Sequence, residues 1–274
     1  MNHSLPDHIC KNCGNPFKGY YCNVCGEKVI LAEDRSFRSF LSSILMAITF
    51  ADEKVIKTLW LVVSRPGFIT HEFAEGRRVK YLKPLSLFFV LNLIYFLFPV
   101  IQLFNASLNT QLMAPQRELV RDIIAHKMVN NHMRDIASFS LVYNQMSTTL
   151  AKLMVMVFVV IASLPLNLLY RKKGFFFTDH VGITVELVCF NLFVNAILLT
   201  LLIRLLGIGH YVDELTLTFI FIVTNLYFLF RSGSTFYQER GWKLAVKSVG
   251  MILCLKVALE IYRAILFLVT ISFL

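Results

Sequence analysis

VGITVELVCFNLFVNAILLTLLIRLL, residues 181–206, is the stretch whose reading decides the fold. A helix needs about 20 predominantly apolar residues to cross the hydrocarbon core of a bilayer, and this stretch exceeds that length, with Glu186 near one end. Four further stretches read the same way, near Leu85–Phe104, Leu150–Leu169, Leu215–Phe230 and Val249–Leu268. Composition agrees. Of 274 residues 57% are hydrophobic, 25 are Phe and only 16% are charged, with a mean hydropathy of +0.64, too apolar for a soluble globular domain. The expected fold is an all-α integral membrane bundle of about five transmembrane helices, over residues 85–274.

Charge sets the expected orientation. Lys plus Arg number three in residues 1–30, nine in 31–83, three in 170–180 and four in 231–247, against a chain total of 27. The connections on the other side carry far fewer, so the positive-inside rule puts the N-terminus in the cytosol and, with five spans, the C-terminus outside. The same rule accounts for the net charge of +10 without a nucleic-acid partner. The first thirty residues hold a cysteine cluster and no apolar core of signal-peptide type, which also points to a cytosolic start.

That cluster is Cys10-x-x-Cys13 and Cys22-x-x-Cys25, each pair followed by glycine. Two such pairs suit one tetrahedral metal, each wrapping an edge of it, and a reducing cytosol keeps the thiols free of disulfides. Residues 1–30 are expected to form a zinc ribbon in which Pro16 and Gly19 turn a short hairpin, with Phe17, Tyr20 and Tyr21 as its apolar cover. Iron in a four-thiolate site is the alternative, because sulfur geometry alone does not separate the two metals. Cys189 and Cys254 stand singly in apolar segments and read as small hydrophobes.

Between ribbon and bundle, residues 31–84 alternate apolar and basic character. Phe37, Phe40, Leu41, Ile44, Leu45 and Ile48 recur at helical spacing, and Asp52–Val63 reads as a second amphipathic helix ended by Ser64-Arg65-Pro66-Gly67. Arg77, Arg78, Lys80 and Lys83 form a juxtamembrane basic cluster, a candidate contact for anionic lipid head groups. The external connection, 105–149, carries a helical-looking stretch over Pro115–Ile136; its His126 and His132 are too far apart in register to share a metal.

Within the last stretch Lys256, Glu260 and Arg263 fall on one helical face. Ionisable groups at membrane depth are costly unless paired, so they are expected to neutralise one another and face protein, either as a polar pathway or as an interhelical clamp. Glu186, with Asn92, Asn191, Asn195 and Asn225, is a candidate to join them, although ordinary interhelical hydrogen bonding is the favoured reading of these groups. Thr178 or Asp179 is expected to be the N-cap of the third span, beside His180. No phosphate loop, dinucleotide fingerprint, zinc-protease helix or nucleophile elbow occurs, so the reading leans away from an enzyme.

Taken in order, Cys10–Gly14, Phe17–Gly26, Arg65-Pro66-Gly67, Glu75-Gly76-Arg77-Arg78 with Tyr81 and Pro84, and Phe177-Thr178-Asp179-His180 resemble the domain of unknown function 3667 family. The resemblance implies a cytosolic-facing zinc ribbon on a multi-pass protein of a bacterial inner membrane, and no established activity. Glu27 and Arg77 depart from the residues common there, and Glu186 and its neighbours stand where histidines are expected. Two functions fit the residues. One is a membrane-anchored scaffold whose ribbon recruits a cytosolic protein; the other is a small-solute or proton-coupled transporter, or membrane-embedded enzyme, that uses the Lys256, Glu260 and Arg263 face.

Overall fold

A computed structural model of the chain describes residues 7–10, 13–24, 53–77, 80–98, 101–105, 107–113, 117–130, 135–171 and 174–274. The chain divides into two compact units, Met1–Glu53 and Lys54–Leu274. The amphipathic helix expected around residues 37–48 lies outside the described residues, as do Cys25, Arg78, Pro115 and His132.

In the first unit β1 (Asp7–Ile9) pairs antiparallel with β2 (Pro16–Lys18), in the register Asp7 to Lys18, His8 to Phe17 and Ile9 to Pro16. The hairpin therefore closes across the first cysteine pair and not between the two pairs. Pro16 lies in a strand, not a turn, on the edge of a two-stranded sheet where its missing N–H costs nothing. Phe17 alone of the expected cover is buried, while Tyr20 and Tyr21 are exposed.

The second unit is mostly helical. From its first residue, Lys54, through residue 64 the chain is helical (α1), and the helix stops where Pro66 and Gly67 turn the chain. Then come α2 (Phe68–Ala74) and α3 (Pro84–Leu97), the latter with Pro84 in its first turn, where no N–H is needed. The first expected span ends early here. At 14 residues α3 rises only about 21 Å, and Phe98 is extended. Residues 101–105 continue without helix.

α4 (Leu108–Met113) and α5 (Arg117–Asn130) pack as a cap on the start of α6 (Ile136–Leu169) and the end of α10 (Trp242–Phe273), around Leu108, Ile124, Phe139, Tyr143 and Phe267. The helix expected as the second span begins at Ile136, some turns before Leu150, so part of the expected external connection is helix. The reason is local. Asp135 caps the backbone N–H groups of Ala137 and Ser138, and the polar first turns of α6 meet polar partners: Ser147 donates to Asn105 Oδ1 and Leu108 N–H donates to Asn144 Oδ1.

α7 (Phe177–Phe190) runs through a π-helical segment, Asn191–Leu198, into α8 (Leu199–Leu206). After a 3₁₀ turn at Ile208–Tyr211 follow α9 (Glu214–Thr235) and α10. Thr178 or Asp179 was the expected N-cap, but the helix already starts at Phe177 and Phe176 is its N-cap. Asp179 caps it from inside the first turn by accepting the Phe176 N–H at 3.0 Å. An acceptor anywhere in the first turn can reach that orphan donor, so position alone did not settle the cap.

α6 and α10 run antiparallel as the central pair. Ser147, Ala151, Ala162 and Ser163 keep the inner face of α6 small, and Tyr262 of α10 donates to the Ala151 carbonyl at 3.0 Å. Among the described residues three helices are long and apolar enough to cross a membrane: Ile136–Leu169, Phe177–Leu206 and Glu214–Thr235. α10 has the length, but Lys256, Glu260 and Arg263 interrupt its apolar run. Leu153, Leu168, Leu205, Phe219 and Leu253 point outward on these helices, a continuous apolar exterior that a soluble fold does not leave in water.

Candidate functional site

Backbone bonds build the cysteine site. β1 delivers Cys10, whose N–H donates to the Asn15 carbonyl at 3.0 Å while Gly14 N–H donates back to the Cys10 carbonyl at 2.9 Å. This tight loop holds Cys13 over it. β2 leads to Cys22, and Asn15 Nδ2 donates to Asn23 Oδ1 at 3.0 Å, tying the two loops together. The sulfurs of Cys10, Cys13 and Cys22 all lie within 4.8 Å of one another, with Cys13 and Cys22 at 3.6 Å. Four thiolates around zinc stand about 3.8 Å apart, so the set fits a tetrahedral soft cation. Cys10, Cys22 and Phe17 are the buried residues of this miniature core. Bound metal would supply the cross-link that so small a core lacks.

In the second unit Lys256, Glu260 and Arg263 do share a face and do pair. Lys256 Nζ lies 2.7 Å from Glu260 Oε1 and Arg263 Nη1 3.5 Å from the same oxygen. They do not all turn inward, since the side chains of Lys256 and Glu260 are 66% and 45% exposed. Lys256 and Arg263 line a groove of about 470 Å³ between α9 and α10, with Thr218 and Phe221 opposite and the non-helical segment 101–104 behind. Asn191 and Asn225 also line it. Their side-chain amides exchange two 2.9 Å hydrogen bonds, and Asn195 donates to Asn191 Oδ1 at 2.8 Å. This is the interhelical amide network expected of intramembrane asparagines.

Glu186 is elsewhere. It is buried, and its carboxyl accepts Gly67 N–H at 2.8 Å, Thr70 N–H at 3.0 Å and the Thr70 hydroxyl at 2.7 Å. The expected meeting with Lys256, Glu260 and Arg263 is replaced by a clamp on the N-terminus of α2, where orphan backbone donors and the helix dipole favour an acceptor. Gly67 sits at φ +83°, and a Cβ there would stand 3.0 Å from both Cα and Cβ of Ser232. Gly67→Ala is accordingly expected to cost about 3 kcal/mol, from left-handed strain plus displaced packing. Gly76→Ala, at φ +82° with open space around it, carries the strain alone. Thermal melts of the two variants in detergent check this; equal losses would show that Ser232 gives way.

His180 is fully buried, its Nδ1 2.7 Å from the Tyr237 hydroxyl, and its Nε2 has no partner among the described residues. Burial pushes the Tyr237 phenol well above its ordinary range, so it remains a hydroxyl. Tyr237 stacks on Tyr170 at 3.6 Å, and Lys247 sits 4.3 Å over the Tyr170 ring while pairing with Glu239 at 2.6 Å. Sequence reading named His180 but missed Tyr237, which no local pattern marks. It likewise missed Gly67 and Thr70 as partners of Glu186, although Arg65-Pro66-Gly67 signalled an unusual turn.

Of the basic cluster, Arg77 is engaged locally. Its Nε and Nη2 donate to the Glu72 carboxylate at 3.0 and 2.6 Å, and this guanidinium holds Glu72 below the usual carboxylate range. Lys80 and Lys83 are exposed.

Residues 52–96, from α1 through most of α3, match the model of a family described as protein of unknown function (DUF3667). Among curated proteins and among solved structures, none matches the chain.

Proposed function

We propose that this chain, a member of the DUF3667 family through residues 52–96, is a membrane-anchored binding protein whose N-terminal zinc ribbon recruits a cytosolic protein. In this reading α3 and α10 join the three long apolar helices as a five-span bundle in a bacterial inner membrane, with the N-terminus in the cytosol and the C-terminus outside. The observation that carries it is the convergence of three thiols on a hairpin with almost no core of its own. Such a module folds around metal and does no chemistry with it. Its surface keeps Ile9, Tyr20, Tyr21 and Val24 exposed, apolar and aromatic contacts of the kind that anchor a partner. Lys80 and Lys83, with Arg77 and Arg78, would hold the anionic inner leaflet.

The test joins topology to assembly. Alkaline phosphatase fused after Leu274 is expected to be active and a fluorescent protein before Met1 to fluoresce. On blue-native gels the intact protein is expected to migrate with a soluble partner that is lost when Tyr20 and Tyr21 are both changed to Ser. An inactive phosphatase fusion would remove the five-span orientation, and unchanged migration of the Tyr20→Ser, Tyr21→Ser variant would remove recruitment through the ribbon.

A second reading, a transporter that works through the Lys256, Glu260 and Arg263 face, is favoured by one observation. Lys256 and Arg263 both border a groove.

A further inference from the structure

We propose that the groove between α9 and α10 binds an anionic phospholipid, its head group between Lys256 and Arg263 and its acyl chains along the apolar walls. The inference rests on the membrane reading above and names a ligand for the face that reading leaves without one.

Three departures from regular structure and a set of charges meet at this groove. α3 stops and the chain runs on as residues 101–105 without helix. In a bilayer such backbone is tolerated only where protein covers it or a cavity adjoins it. Here its donors are met by side chains: Ile101 N–H donates to Thr200 Oγ1 at 3.0 Å and Leu103 N–H to the Tyr95 hydroxyl at 3.2 Å. Across from it, Asn191–Leu198 is π-helical, a costly geometry that tends to be kept where a site needs it. The outer half of the α8–α9 hairpin leaves the bundle: α8 has no buried residue, and the first buried residue of α9 is Asn225. Finally, α10 places charged side chains at a depth where each is costly.

The chemistry selects the ligand. Lys256 and Arg263 both donate to Glu260, which leaves that face one positive charge in excess. The buried Nε–H of Arg263 has no acceptor among the described residues. A phosphate oxygen would accept from the exposed Lys256 ammonium and from the guanidinium of Arg263 where it borders the groove. Glu214 also lines the groove, so its carboxylate offsets part of that excess and a phosphate must compete with it for the two cations. The volume, about 470 Å³, lies within the range of about 300–1,000 Å³ usual for ligand pockets. Ile222 and Leu253 line it and are exposed on the apolar exterior, so the way in is from the lipid side. A soluble anion would need a polar entrance; a phospholipid enters with its chains still in the bilayer.

The experiment uses the full chain, delipidated in detergent and titrated with phosphatidic acid or phosphatidylcholine of matched chains, with retained lipid counted by native mass spectrometry. One phosphatidic acid per chain is expected to survive at concentrations where phosphatidylcholine does not. Lys256→Gln and Arg263→Gln are each expected to weaken retention about fivefold. Thr218→Trp fills the groove while leaving every charge in place and is expected to weaken it at least as much, which keeps the test alive if a charge variant misfolds. Lys80→Gln with Lys83→Gln is expected to change nothing.

Retention lost in that last variant, or unchanged in the first three, would overturn the proposal. Displacement by millimolar inorganic phosphate would make the ligand a soluble anion and overturn it too. Flotation with phosphatidylcholine vesicles reports separately on the membrane reading: protein that floats but shows no preference sinks the groove alone, and protein that does not float sinks both.

Discussion

The Cys10→Ser, Cys13→Ser double variant is expected to purify without metal, and the intact chain with one zinc. Two of the converging sulfurs go, and the backbone loop from Cys10 to Asn15 keeps its two hydrogen bonds but loses the cross-link they serve. Structural zinc supplies on the order of 10 kcal/mol or more to modules of this size, far beyond what Phe17 and a two-stranded sheet can offer. The ribbon should therefore unfold outright and become a site of rapid proteolytic cleavage over residues 7–24. Metal per chain by plasma mass spectrometry and the position of the first protease cut are the two readings. Intact protein without metal would remove the ribbon; iron in place of zinc would keep the fold and change the cofactor.

Glu186→Ala is expected to be the most damaging single change in the helical unit, by about 3–5 kcal/mol, the cost usual when one partner is taken from a buried charged or strongly polar pair. Its carboxyl is the acceptor for two backbone N–H groups and one hydroxyl, none of which can reach water once it is gone. At this chain size the melting temperature in detergent should fall by about 10 °C. Glu186→Gln keeps the volume but turns an NH₂ toward a donor, so an intermediate loss is expected. Thr70→Val on its own should cost less, and the Glu186→Ala, Thr70→Val double variant should lose less than the two single losses combined, because both act on one contact. A Glu186→Ala protein that melts with the wild type, or strictly additive losses, would show that the clamp carries no stability.

That clamp marks the limit of what could be read from residue order. Glu186 was visible as a carboxyl in an apolar run, and expected company in the nearest other charges, Lys256, Glu260 and Arg263. Its partner Gly67 lies 119 residues away. A buried carboxyl needs donors, but the N-terminus of α2 meets that need with backbone N–H groups, which every sequence has and which therefore leave no signature. Tyr237 beside His180 is the same case with a side chain. By contrast Asn191, Asn195 and Asn225 were expected to bond across helices and do, Asn191 with Asn225 and Asn195 with Thr224, since amides in apolar helices have few other partners.

The sequence by itself determined the long apolar helices, the helix break at Arg65-Pro66-Gly67 and the grouping of cysteines. These depend on properties local to the chain: length against bilayer thickness, the backbone limits of Pro and Gly, and the short loop between paired thiols. Tertiary structure alone decided that the hairpin closes across the first cysteine pair and that α3 stops after fourteen residues. It also decided that α9 parts from α10 above Asn225, so that Lys256 and Arg263 border a groove. Each of these turns on which distant surface is near enough to satisfy a backbone group or fill a space. That is settled by packing, where polar satisfaction and close contact over the whole bundle outweigh the preference of any one segment.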